Sequence, residues 1–238
     1  MASPHIFFWD IDGTLLSTQR AGAAAFDEAC RQVMELDTID WTGVDFRGHT
    51  DRGIARRTLE AHGKPADEAT IDRLLACYES HLPLRLAQRD GGALPGVIEI
   101  LERLQSRSDV LLMLLTGNTR NGARAKLERC GLAHYFTAPD GGPSPFGAFA
   151  DAGALRDSIA AAARALAERT VGTPVAGERC FVIGDTPHDV SCGKSIGART
   201  VAVASGGYTE EELRACEPWR LWPRLPAPAE FERELGLA

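Results

Sequence analysis

Three short stretches carry the residues able to do chemistry. Asp10 and Asp12 stand one residue apart in Ile6-Phe7-Phe8-Trp9-Asp10-Ile11-Asp12-Gly13-Thr14-Leu15. In an extended chain both project to the same side. Two carboxylates that close repel one another, so a metal ion or a shared proton has to compensate. Gly13 admits a turn that other residues resist, and Thr14 adds a hydroxyl beside the acids. Thr116-Gly117-Asn118 is the second stretch, and Asp185 with Asp189 the third. Taken singly, the first is also what a strand ending in an Asx-type turn looks like. Taken together, they are three apolar runs that all finish in polar groups.

The runs are the elements that must position these groups. Residues 6–9 read as a buried strand of β-formers. Residues 110–115 are an unbroken apolar run that needs burial on both faces, as in a parallel sheet. Cys180-Phe181-Val182-Ile183 is a further strand, ending at Gly184-Asp185. Helical patterns separate them, so the fold class is α/β, a doubly wound parallel sheet. In such a sheet the carboxyl ends of the strands share one edge, where ligands bind. Three strands would therefore deliver their polar ends to one crevice.

Residues 17–87 look helical. The stretch 21–36 has apolar residues at helical spacing (Ala25, Phe26, Ala29, Val33, Leu36). A second helix is signalled by Asp51 as N-cap before Ile54, Leu59 and a closing Gly63, and a third covers 67–86. The exception is the irregular stretch 41–50. This block, residues 17–89, is expected to form a helical cap inserted into a core made of 1–16 and 90–238. After Gly91-Gly92, Pro95-Gly96 opens a helix over 97–105. Another runs to Cys130 with Gly131 at its C′ position. A strand is expected at 135–139, a Gly/Pro-rich loop at 140–153 and an Ala-rich helix at 154–169. A helix then runs to Ile196, stopped by Gly197, before a strand at 200–204. The tail from Pro218 reads as irregular packing that ends in a short helix.

Bulk properties narrow the function. The 238 residues can hold one large domain or a domain with an insert, and 44% hydrophobic with 25% charged residues is ordinary for a globular protein. A net charge of −7 argues against a broad nucleic-acid or anionic-membrane surface. The six cysteines form no CxxC pair and no zinc spacing, and are read as reduced, small apolar residues. No stretch reaches membrane-spanning length and no leader pattern opens the chain. The expectation is a cytoplasmic protein with no nucleic-acid or membrane partner, with monomer and homodimer both open.

In its motifs the chain resembles haloacid-dehalogenase-superfamily phosphatases with a helical cap, of the phosphoglycolate-phosphatase-like type. The matching residues are Asp10-Ile11-Asp12-Gly13-Thr14-Leu15, Leu114-Leu115-Thr116-Gly117-Asn118 and Ile183-Gly184-Asp185-Thr186-Pro187-His188-Asp189, with Pro95-Gly96-Val97 ahead of the second strand. The likeness extends to about Ala204. It implies Mg²⁺-dependent hydrolysis of a small phosphorylated metabolite through an aspartyl-phosphate. By matching position, Asp10 would be the nucleophile, and Asp12 the acid that protonates the leaving oxygen and then activates water. The metal would be held by Asp10, Asp185 and the Asp12 backbone carbonyl, with Asp189 a ligand or a supporting carboxylate. Thr116 and the backbone N–H groups of Gly117 and Asn118 would bind phosphoryl oxygens. Members that cleave carbon–halogen or carbon–phosphorus bonds generally lack the second acid, so Asp12 argues against dehalogenation.

The resemblance is imperfect at the cation that balances the phosphoryl charge. Members often carry a Lys-Pro pair about two dozen residues before the last motif, and none stands there. Arg156, at the start of the helix before the fourth strand, is the favoured substitute. Lys126 is the alternative, with an exposed neighbour of Arg129 as its plainer reading. In the insert, Gly48, His49, Thr50 and Asp51 form either a loop that dips into the crevice and selects substrate, or a helix N-cap with an exposed basic face. His188 reads as a loop residue. A phosphomutase of the same fold and a non-catalytic phosphate-binding protein are the competing functions, the latter disfavoured by the intact acid pair.

Overall fold

The computed structural model describes residues 3–42, 44, 46–142, 144–152 and 156–237. In chain order its elements are β1 (His5–Trp9), β2 (Leu16–Ser17), α1 (Ala21–Met34), α2 (Asp51–Ala61), α3 (Glu68–Ala87), β3 (Gly92–Ala93), α4 (Val97–Gln105), β4 (Val110–Leu115), α5 (Arg120–Arg129), β5 (Gly147–Ala148), α6 (Arg156–Val171), β6 (Cys180–Gly184), α7 (Pro187–Ser195), β7 (Arg199–Val203), α8 (Glu210–Ala215), β8 (Arg220–Trp222) and α9 (Pro228–Leu235).

β1 is central because nearly every residue in it is apolar. The parallel sheet has the order β5-β4-β1-β6-β7-β8. Phe7 lies beside Leu112 of β4 and Phe181 of β6, and Phe8 beside Met113 and Val182. Since side chains alternate across a strand, Phe7 and Trp9 join one core layer with Leu114, Phe181 and Phe231. Ile6 and Phe8 join the opposite layer with Met113, Val182 and Ala163 of α6. Burial on both faces is what a continuous apolar run requires. The order of strands and helices is the α/β class read from the sequence.

The chain leaves the sheet through β2 and returns through β3, which pair antiparallel at Leu16–Ala93 and Ser17–Gly92. Between them α1, α2 and α3 enclose their own apolar cluster, with Phe26, Ile54, Leu59, Leu74 and Tyr78.

Several expectations are corrected. Residues 135–139 are not a strand: Tyr135 closes a 3₁₀ turn after α5, its ring buried against the core. The edge strand on that side is Gly147–Ala148, inside the stretch expected to be loop. A Cβ on Gly147 would collide with Leu114, so glycine allows this close approach. The tail also contains a strand, β8, which joins the opposite edge. Its prolines flank the strand, at 218 and 223, and do not interrupt it. Asp51 is the first residue of α2, and the cap is Thr50, whose side chain accepts from the Gly53 N–H at 2.9 Å. His188 lies in the first turn of α7, not in a loop. The expected helix start at residue 154 lies outside the described residues, and α6 is described from Arg156.

Candidate active site

Asp10, Thr116 and Asp185 each follow the last residue of a parallel strand, so one sheet edge collects them. The Asp10 N–H donates to the Ile183 carbonyl at 2.9 Å, which ties the carboxylate to the end of β6. Carboxylate oxygens of Asp10, Asp185 and Asp189 all lie within 4.8 Å of one another, and all three residues are buried. The Thr14 hydroxyl donates to Asp185 at 3.0 Å. Gly13, at φ +84°, and Gly206 pack against Asp185 so closely that a Cβ on either would overlap its carboxylate. Ser205 reaches back to donate to the Gly13 carbonyl at 2.7 Å.

Asp189 is the most fully engaged of the three acids. It closes a capping box at the start of α7, accepting from the Thr186 N–H at 3.0 Å and hydroxyl at 2.7 Å. Its other oxygen accepts from Arg156 at 2.7 Å. Asp10 is the least engaged. Its Oδ1 is buried without a hydrogen-bond partner among the described residues, and the Arg156 guanidinium stands 3.7 Å away. Burial, then the charge of Asp189, hold the Asp10 carboxyl well above the usual carboxylate range, although Arg156 pulls the other way. Burial and the charge of Asp10 push Asp185 up as well. This pocket is short of positive charge, and its free valences are hard oxygens, the donor set that suits Mg²⁺.

The Asp12 side chain turns away from this group. Its Oδ2 accepts from Lys126 Nζ at 2.6 Å and from Asn118 at 2.9 Å. Asn118 also donates to the Thr116 hydroxyl at 2.9 Å and accepts from Lys126 at 2.5 Å. Lys126 is buried, contrary to its plainer reading as an exposed neighbour of Arg129. Burial disfavours its charge, but Asp12, Tyr78 and Asp51 outweigh burial and raise the ammonium's pKa. Arg156 and Lys126 therefore both reach the acids, one at Asp10 and Asp189, the other at Asp12.

The helical layer closes over the same edge. Arg156 Nε donates to the Gly48 carbonyl at 2.9 Å. The Asp51 N–H donates to the Gly117 carbonyl at 2.7 Å, and the Asp51 carboxylate accepts from the Thr119 N–H at 2.8 Å. Burial pushes the Asp51 carboxyl up to about 6, against the pull of Lys126. The His49 ring lies 4.8 Å from that of His188, with the Arg57 guanidinium against its edge. Gly48, His49 and Asp51 line a cavity of about 210 Å³ together with Asp10, Asp12 and Lys126. Thr50 contributes its cap but does not line the cavity. The apolar walls were not read from the sequence: Phe26, Ile54 and Tyr78 carry only the signal of helical core residues, and Phe46 stands in the irregular stretch between α1 and α2.

The site is a crevice at the carboxyl edge of a parallel sheet, holding three buried acids under a helical layer. A family model for haloacid dehalogenase-like hydrolases matches residues 4–197, and the chain belongs to that family. It is similar to a phosphoglycolate phosphatase of Mesorhizobium japonicum, 29% identical over 92% of this chain and 89% of that protein. Among solved structures it shares its fold with a hydrolase from Pseudomonas syringae, at a TM-score of 0.68 and 21% identity over 98% of each chain. CbbY from Rhodobacter sphaeroides, solved with phosphate, has a TM-score of 0.68 at 19% identity over 95% of this chain and 96% of that one.

Proposed function

We propose that the protein hydrolyses small phosphate monoesters, with Asp10 as the nucleophile and Asp12 as the acid–base. The observation that carries this reading is the contrast between the two acids. Asp10 offers a buried oxygen with no hydrogen-bond donor on it among the described residues, as an attacking group requires. Asp12 has one oxygen fixed by Lys126 and Asn118, which leaves the other to carry a proton at the cavity. The relatives named phosphoglycolate phosphatase, at 28–29% identity, support hydrolysis over transfer.

The substrate phosphoryl group would sit against Thr116 and the N–H groups of Gly117 and Asn118, between Arg156 and Lys126. Asp10 attacks phosphorus and forms an aspartyl-phosphate, while Asp12 delivers its proton to the departing alkoxide. Asp12 then takes a proton from water, which opens the acyl-phosphate. Asp10, Asp185 and the Asp12 carbonyl would hold Mg²⁺, with Asp189 fixed behind them by Thr186 and Arg156. When bound, the ion offsets the charge of the acids and of the phosphoryl group. Residues 17–89 would act as a cap on the core of 1–16 and 90–238, and Gly48, His49, Thr50 and Asp51 as its substrate-selecting edge.

The test is phosphate release from a panel of phosphorylated metabolites and an aryl phosphate, with Mg²⁺ or with chelator. Hydrolysis that needs Mg²⁺ is expected, and full activity in excess chelator would overturn the metal assignment. Release of phosphate from no ester in the panel would sink the enzymatic reading.

A further inference from the structure

We propose that the edge of the sheet opposite the catalytic crevice binds a phosphoryl oxyanion between Arg179 and Arg199. This site stands apart from the phosphatase reading and does not rest on it. In a parallel sheet the strands that deliver Asp10 and Asp185 at one edge begin together at the other. Four neighbours in the order β1-β6-β7-β8 begin there at a basic residue. His5 opens β1, Arg199 opens β7 and Arg220 opens β8, while Arg179 stands immediately before β6. Adjacent strands lie about 4.8 Å apart, so the topology gathers these groups into one row. In a chain of net charge −7 the row reverses the local sign. β1 and β6, five residues each, separate it from the acids by roughly 16 Å.

Aromatic rings hold part of the row in place. The Arg199 guanidinium lies 4.7 Å from the centroid of the Trp219 ring and 5.8 Å from that of Phe181. The Phe181 ring in turn stands 6.0 Å from both Trp219 and His5. The Trp219 N–H donates to the Thr200 hydroxyl at 3.0 Å, and the residue is 41% exposed. A guanidinium stacked on rings keeps its N–H edge for a further partner, in the planar fork that matches a phosphoryl group. The outer arginines already have acids: Arg220 stands 3.6 Å from Glu234, and Arg107 pairs with Asp109 at 2.9 Å. Arg179 and Arg199 make no side-chain hydrogen bond or ion pair among the described residues, and the Arg179 Nε is buried without a partner. Glu178, beside Arg179 in sequence, is exposed and pairs with neither. Both arginines act on one imidazole. Burial and then the charge of Arg179 hold His5 below its ordinary pKa, with Arg107 and Arg199 adding to this against Asp109. Two uncompensated forks on adjacent strands offer donors from two directions. A tetrahedral dianion accepts from both, and its charge offsets theirs.

The experiment follows amide and indole signals of the ¹⁵N-labelled chain by NMR as inorganic phosphate is added in the presence of chelator. Saturable shifts are expected at the Trp219 indole and at the amides of Cys180, Phe181 and Arg199. In Arg179→Gln with Arg199→Gln the affinity read from these signals should fall at least about tenfold. Any phosphate response at Gly117 and Asn118 should keep its midpoint, which separates this edge from the catalytic one. Should the double variant fail to fold, Arg199→Lys keeps the charge, loses the fork and the stacking, and should still weaken binding. Methylphosphonate distinguishes the sources: affinity equal to that of phosphate means that the phosphoryl group of a larger molecule fits, and weaker binding means that the free ion is the ligand. Acetate should bind less tightly than either. Shifts at this edge that rise linearly without saturating, an unchanged midpoint in a folded variant, or acetate binding as tightly as phosphate would each overturn the proposal, and none of them touches the phosphatase reading.

Discussion

Asp10 and Asp12 differ by two positions in the chain and by everything in their surroundings. Asp10→Asn removes the attacking charge and is expected to abolish turnover with the fold intact, checked by phosphate release and circular dichroism. Asp12→Asn keeps the backbone carbonyl but deletes the proton donor, and should cost about 10²–10⁴-fold on an alkyl phosphate. On an aryl phosphate, whose leaving oxygen needs little protonation, the loss should be smaller, and mass spectrometry of the quenched variant should find phosphate on Asp10. Asp51 supplies a pH dependence. Its folded pKa, about 6, is raised from 3.8 by burial, so between those values the folded state holds a proton that the unfolded state has lost. Stability from this group is therefore present at low pH and is lost as pH rises through about 6, at a cost of up to about 3 kcal/mol. Lys126, Asp12 and Glu79 also act on it. Asp51→Asn should melt at a progressively higher temperature relative to wild type as pH goes from 4 to 7. A constant difference would show that Asp51 does not titrate this way. At this scale the acids were legible because they stand at strand exits. The partners of Asp12 were not, since Lys126 reaches it across 114 positions, and helical spacing alone cannot show that a lysine points inward.

Individual elements set the precision of the site. The α7 N-terminus does so by capping: Thr186 and Asp189 satisfy one another, and that same bond aims Asp189 at Arg156. Thr186→Ala is expected to cost about 1 kcal/mol of stability and also to lower activity, whereas Thr209→Ala, the matching capping box on α8, should cost similar stability with no loss of turnover. Comparing denaturation midpoints and rates in the two variants separates the cap from the site. The long apolar strands and amphipathic helices were readable because burial imposes a pattern over many residues: Val110–Leu115 and Val97–Gln105 have the limits that the sequence suggests. Gly147–Ala148 was not, because two small residues carry no periodicity. β8 was hidden by the prolines on either side of it. Tyr135 misled because a β-forming residue also suits a buried 3₁₀ turn.

Across the whole molecule, the acid cluster works against stability. Three buried carboxylates repel one another in the absence of a cation, so Mg²⁺ should stabilise the fold, by about 2.7 kcal/mol at a hundredfold excess over its Kd. Asp185→Asn should melt higher than wild type in chelator, because one like charge is gone, and should lose the upward shift with Mg²⁺. A thermal scan that shows the same Mg²⁺ shift in both proteins would exclude Asp185 as a ligand.

The central place of β1 has a consequence for how the chain is made. Its neighbours are Val110–Leu115 on one side and Cys180–Gly184 on the other, so β1 leaves a ribosome well before either partner. Filling the gap from Trp9 to its partner Ile183 takes on the order of ten seconds or more at ordinary translation rates. During that interval Ile6, Phe7, Phe8 and Trp9 form an exposed, uncharged β-prone segment, the type that associates with other chains. Nascent chains arrested before Cys180 should be cleaved by protease near β1, and those arrested well past Val203 should resist. Early resistance at β1 would mean that β4 alone is enough to shelter it.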